Sequence, residues 1–78
     1  MTSQTVTRET LLETAIASLV ESMRRERAGE DVGSHYRDQV EPAVDAALAA
    51  GWTGRDIHGG ADRCYGQWLI DQAGQAAA

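Results

Sequence analysis

Lysine, asparagine and phenylalanine are absent from these 78 residues, and cysteine and proline occur once each. A single cysteine, Cys64, excludes an intramolecular disulfide and fits a reducing cytoplasm. No cluster of cysteine and histidine has the spacing of a metal site, so no metal or other cofactor is expected. No apolar run approaches the 18 residues a membrane span needs, and no charged stretch followed by an apolar one marks a secretory signal. Both absences point to a cytoplasmic protein.

Without phenylalanine, and with much of the apolar content supplied by alanine, the core must be small. A chain of this length buries only about 60% of the surface it exposes unfolded. Disulfides, metals and oligomerisation are the usual remedies. The composition points to neither of the first two, which leaves association or unusually compact helix packing, and a homodimer is the favoured expectation.

Without lysine, all seven basic residues are arginine, against twelve acidic ones, for a net charge of −5. That balance argues against a simple cationic nucleic-acid binder. The missing amino acids have AT-rich codons and the abundant ones GC-rich codons, which points to a GC-rich bacterial genome or a phage or plasmid living in one.

What is present reads as helix, in one domain spanning residues 1–78. Residues 1–6 are expected to fray. Thr7 is a good N-cap, and Glu9 lies in the first turn, where the helix dipole favours an acid. Leu12, Ile16, Leu19, Val20 and Met23 recur with helical period and predict an amphipathic helix over roughly 8–28, stopped by Gly29. Glu21 and Arg25 form a favourable i, i+4 pair. A second row, Leu11, Ala15, Ser18 and Ser22, is small enough for another helix to approach closely. This row is the candidate dimer interface.

After the loop 29–34, Ser34 can cap a second helix with an apolar stripe of Tyr36, Val40, Val44, Ala47 and Leu48. The stripe runs through Pro42. The unbroken period favours one kinked element over two separate ones, with Gly51 ending it. Thr53 and Asp56 then have capping-box spacing. The helix they start is expected to be short, stopped near His58 by Gly59-Gly60. A last helix over 61–73 follows, with Ala61, Tyr65, Trp68 and Leu69 on its core side, and residues 75–78 form a tail. The fold class is therefore all-α, a small bundle of three main helices plus one short helical turn.

Gly51 to Ile70 holds both tryptophans, one of the two tyrosines and the cysteine. Gly66 and Ile70 fall on the otherwise polar side of the last helix, which implies that something packs there. Trp52, Arg55, Arg63, Gly66, Gln67 and Ile70 are the candidate partner-binding residues, because aromatics and arginine dominate binding hot spots. The run from Ala46 to Leu69 also resembles a helix-turn-helix DNA-binding unit, which would place Arg63 and Gln67 as base readers. Only Arg37, Arg55 and Arg63 accompany six acids from Tyr36 onward, which is thin support for phosphate contacts.

His35, Asp56, His58 and Cys64 are the candidates for catalysis. They show no nucleophile–base spacing, and no glycine pattern cradles a phosphate, so no enzymatic activity is expected. The preferred expectation is a non-enzymatic protein-interaction module, a small regulator or inhibitor. The alternative is a helix-turn-helix-like regulator.

Overall fold

The computed structural model describes residues 7–77. The expected fraying at residues 1–6 and the last tail residue lie outside that range. The chain forms α1 (Arg8–Arg27), a bent helix made of α2 (Gly33–His35), a π-helical turn (Tyr36–Val40) and α3 (Glu41–Ala49), and then α4 (Gly54–Ala77). The result is an all-α bundle of three helices, one of them bent.

The first helix begins and ends as its sequence dictates. Thr7 has extended backbone angles and its side chain accepts from the Thr10 N–H. At the other end the chain turns through Gly29 at φ +85°, a conformation that glycine adopts without strain. On the surface Glu21 pairs with Arg25 at 3.0 Å and with Arg24 at 3.7 Å. The hydrogen bond from Arg25 lowers the Glu21 pKa.

The bent helix resolves the Pro42 conflict with a π turn. In a regular helix the proline ring would collide with the carbonyl of Asp38, four residues back, and one hydrogen bond would be lost. Here the Glu41 N–H reaches back five residues to the Tyr36 carbonyl, widening the turn just ahead of the proline. The stripe stays on one side, with Val40 and Ala47 fully buried. Its ends do not: Tyr36 and Leu48 remain 42% and 45% exposed. Ser34 is not the cap. The helix starts at Gly33, behind Val32 and two residues ahead of a Ser34-capped start, and the Asp31 carboxylate accepts from the Gly33 N–H at 2.9 Å.

Both other helices pack against α1. The bent helix runs antiparallel to it, with His35 Nε2 3.2 Å from the Ser18 carbonyl oxygen and Arg8 Nε donating to the Ala50 carbonyl at 2.7 Å. α4 runs parallel, at a constant offset of 44 residues. The Trp52 indole N–H donates to the Arg8 carbonyl at 2.7 Å, Gly60 meets Ile16, and Trp68 lies under Arg24. With a helix on each side, α1 buries Ala15, Leu19 and Ser22 and only half-buries Leu12, Ile16, Val20 and Met23. Of the row proposed for a dimer, Ala15 and Ser22 thus belong to the monomer core, and Leu11 and Ser18 are half-buried. Ala15 and Ser22 are buried by the chain's own helices and offer no surface to a second copy.

Ser22 carries a cost. It is 5% exposed, and its hydroxyl finds no hydrogen-bond partner among the described residues. Replacing it with alanine removes an unpaired polar group and improves helix propensity. Ser22→Ala is expected to raise unfolding free energy by about 0.5–1 kcal/mol, read as a higher urea midpoint at unchanged slope. A lower midpoint would mean that the hydroxyl is bonded in solution.

The capping box at the start of α4 is present. The Thr53 N–H donates to Asp56 Oδ2 at 3.0 Å, and the Asp56 N–H donates to Thr53 Oγ1 at 3.1 Å. The Thr53 backbone N–H foremost, and the Thr53 side chain after it, hold the Asp56 carboxyl below its ordinary value of 3.8. A carboxyl whose pKa is lower in the folded than in the unfolded state binds protons preferentially when unfolded. Its contribution is therefore present above the unfolded value and lost as pH falls through the folded one. Melting temperature should fall as pH drops from about 5 to about 2, and Asp56→Asn should lower the melting temperature at pH 7 and flatten that fall. An unchanged acid slope in the variant would assign the acid sensitivity to other carboxylates.

The largest departure from expectation is the continuity of α4. Neither the Gly59-Gly60 pair nor Gly74 ends a helix, and one element runs from Gly54 to Ala77. The expected short turn and last helix are a single rod. Gly60 is buried where α4 crosses α1, and Ile57 and Ala61 beside it are core residues. The glycine pair permits close helix contact here instead of interrupting the helix.

Candidate functional site

α1 and α4 pack tightly at Gly60, where a Cβ would lie only 3.0 Å from Ile16 Cγ1. Two turns further along, the separation is spanned by long side chains, with the Arg24 guanidinium 4.9 Å from the Trp68 ring centroid. Between these points both helices carry small or medium residues, Ala17 and Val20 on α1 and Cys64 on α4. The consequence is an open groove of about 490 Å³ lined by Glu13, Ile16, Ala17, Val20, Glu21, Arg24 and Cys64. Its floor is apolar and its α1 edge carries Glu13 and Glu21. Cys64 is exposed within it.

Tyr65, Trp68 and Leu69 are half-buried and do not join the core. Beyond Ala61 the bent helix no longer covers this side, since its buried contacts end with Val40 and Ala47. Tyr65 and Trp68 stack on each other at 5.6 Å. Tyr65 borders a depression with Met23, Glu26 and Arg27, and Trp68 borders another with Arg24, Arg25 and Glu30. The C-terminal half of α4 thus presents aromatic surface on both flanks of α1.

The structure divides the candidate partner-binding residues into two groups. Trp52 belongs to the scaffold: its N–H is bonded to Arg8, and the Arg8 guanidinium sits 4.4 Å from its ring centroid. This clamp fastens the start of α1 to the α3–α4 junction. Arg55, Arg63, Gln67 and Ile70 are exposed and Gly66 is half-buried, all on α4. Nothing within 4 Å would meet a Cβ at Gly66, so no part of the described chain packs on the side that Gly66 and Ile70 mark. Gln67 donates to Asp71 at 3.0 Å along the helix.

The potential catalytic residues are not assembled. His35 faces Ser18 on the bent-helix side of α1, and Cys64 lies in the groove on the α4 side. His58 is exposed and Asp56 is engaged in its cap. Among the described residues no group of three or more histidine, cysteine or acidic side chains is placed to hold a metal ion, and no helix is long and apolar enough to cross a membrane. The groove could not have been read from sequence, because its walls lie 44 residues apart and neither wall is distinctive alone.

No protein-family model, no curated protein and no solved structure matches this chain. The functional argument therefore rests on the site itself.

Proposed function

We propose that the chain is a non-enzymatic protein-interaction module, a small regulator or inhibitor that seats an amphipathic helix of a protein partner in the α1/α4 groove. The observation that carries this reading is the groove's construction. Three turns of α1, from Glu13 to Arg24, form an open, apolar-floored surface bounded on the α4 side by Cys64, a shape that accepts a further helix through its apolar face. Glu21 is already paired with Arg24 and Arg25, which leaves Glu13 as the carboxylate that favours a basic residue beside the partner's apolar stripe. The net charge of −5 favours the same class of partner over long range.

The helix-turn-helix alternative rested on a turn at Gly59-Gly60, and that segment is helical. Without that turn, Arg63 and Gln67 lie midway along a rod and not near the start of a recognition helix.

Cys64 provides the test, being the only thiol and exposed in the groove. The immobilised chain is expected to retain a protein from a GC-rich bacterial lysate, with or without nuclease. Cys64→Arg, or maleimide modification of Cys64, should abolish retention while leaving the helical circular dichroism unchanged. Retention of nucleic acid that disappears on nuclease treatment, with steep salt dependence, would replace this reading by DNA binding. Retention unaffected by blocking Cys64 would place the partner elsewhere.

A further inference from the structure

The groove does not end at Arg24. Glu21 and Arg24 also line the depression beside Trp68, so one surface continues along the exposed side of α1 from Glu13 to Arg27. Its charges are sorted by end. At the first end Glu13 is exposed and forms no ion pair among the described residues. The middle is apolar, with Ile16, Ala17 and Val20 beside Cys64. The far depression carries Arg24, Arg25 and Arg27 against Glu21 and Glu30. Glu21 is shared between Arg24 and Arg25, whereas Arg27 is exposed and in no ion pair among the described residues. Glu26 borders the Tyr65 depression instead. At 3.6 residues per turn, Glu13 and Arg27 lie within about 40° of each other around α1 and about 21 Å apart along it.

A helix laid along this surface meets two different ends. Complementarity asks for acids against Arg27 and a base against Glu13. Acids also stabilise the first turns of any helix, and bases the last. A partner helix meets both demands at once when its N-terminus lies at the Arg27 end, antiparallel to α1. Laid the other way, the same helix would bring its acids to Glu13 and its bases to Arg27. α1 and α4 are parallel, so an antiparallel helix beside them also opposes both of their dipoles.

We infer that the partner is an amphipathic helix with acids in its first turns and bases in its last, docked antiparallel to α1 with its acids on Arg27 and a base on Glu13. This docking rests on the groove reading above and adds to it the partner's charge order and direction. A surface of one sign would select only the opposite sign, whereas a surface with opposite charges at its two ends selects a direction as well. Cys64 lies at the apolar middle and at neither end. Blocking it therefore reports whether the groove is occupied, and changes at residues 13 and 27 report which way the occupant runs.

Two fluorescently labelled synthetic peptides of about 18 residues, five helical turns, provide the test. Both carry the same leucine–alanine stripe and the same composition. One has glutamates first and arginines last beside the stripe, and the other has the reverse order. In anisotropy titrations at low salt the acid-first peptide should bind the wild-type chain about tenfold tighter, equivalent to 1.4 kcal/mol. Added salt should shrink that preference. The acid-first peptide is also the better helix on its own, so the deciding arm is the swapped chain Glu13→Arg/Arg27→Glu. There the preference should reverse, which peptide helicity alone cannot produce. Both positions are exposed, and the swapped chain should melt close to the wild type. Equal affinities that both vanish in Cys64→Arg, or a preference unchanged in the swapped chain, would overturn the docking direction and leave the groove reading standing. No binding in either order would overturn both. A chain that sediments as a dimer by itself, and as a monomer when it carries Glu13→Arg, would give the surface to a second copy in place of a partner, since α1 itself carries Glu13 ahead of Arg24 and Arg27.

Discussion

Ile57→Ala is expected to lower the unfolding free energy by about 3 kcal/mol. Among the described residues, the largest fully buried side chains are Ile57 and Val40, and the rest of the buried apolar cluster is Leu19 and three alanines. Ile57 is thus the one large group that α4 commits to the centre. The substitution deletes three carbons, worth about 0.8 kcal/mol each by transfer alone. The remainder is the cavity term, which stays substantial because helix backbones crossing on alanine and glycine contacts have little room to collapse further. At 0.05–0.15 kcal/mol per residue, a domain of this length has about 4–12 kcal/mol in all. The variant should therefore lose a quarter or more of its stability, with a melting temperature about 12–24 °C lower. Leu48→Ala, on a side chain almost half exposed, is the matched control and should change stability by about 0.5 kcal/mol or less. Urea titrations of the two variants check this directly. A loss under about 1 kcal/mol at Ile57 would show that the core is centred elsewhere.

Much of the architecture could be read in advance wherever a local signal and the tertiary demand agree. Thr7, Gly29, Gly51 and the Thr53–Asp56 box all stand where the helices begin or end. The period through Pro42 was a better guide than the proline itself, because the π turn absorbs the ring without breaking the stripe. The same reasoning applied to Gly59-Gly60 would have succeeded. Ile57, Ala61, Cys64 and Trp68 keep a helical period straight across the pair, yet glycine's propensity suggested a stop. Two interior glycines cost about 2 kcal/mol, and burying Ile57 and Ala61 against α1 outweighs that.

The remaining misreadings concern which surface meets which. The small-residue row of α1 does receive a helix at close range, but it is the bent helix of the same chain. Sequence spacing identifies a face and not the chain that covers it. Tyr65, Trp68 and Leu69 sit on the expected side of α4, but the bent helix ends too early to cover them. The exposed strip with Gly66 and Ile70 was legible because its residues lie on one helix, whereas the groove needed the 44-residue offset between α1 and α4 to exist at all.

That offset is fixed at Gly60, and a side chain there should disturb it more than any other single change on α4. A valine at residue 60 is expected to cost about 3 kcal/mol, the upper part of the range for overpacking a tight contact. A Cβ at this position would fall 3.0 Å from Ile16 Cγ1 and closer still to Cδ1. Rotating χ2 of Ile16 could clear the terminal methyl into the groove. It cannot move Cγ1, and χ1 of a β-branched residue in a helix has essentially one well. The helices must therefore separate, which loosens Ile57 and Ala61 on the same face. Gly66→Ala provides the opposite sign. It gains about the same propensity as any helical Gly→Ala change, meets nothing, and should stabilise the monomer by about 0.5–1 kcal/mol. Adding Ile16→Ala to Gly60→Val should recover at least about 1 kcal/mol relative to the sum of the single changes, because the new side chain then occupies space the isoleucine vacated. Strict additivity in that double-mutant cycle would mean that residues 16 and 60 do not touch, and the parallel packing of α1 and α4 would have to be redrawn.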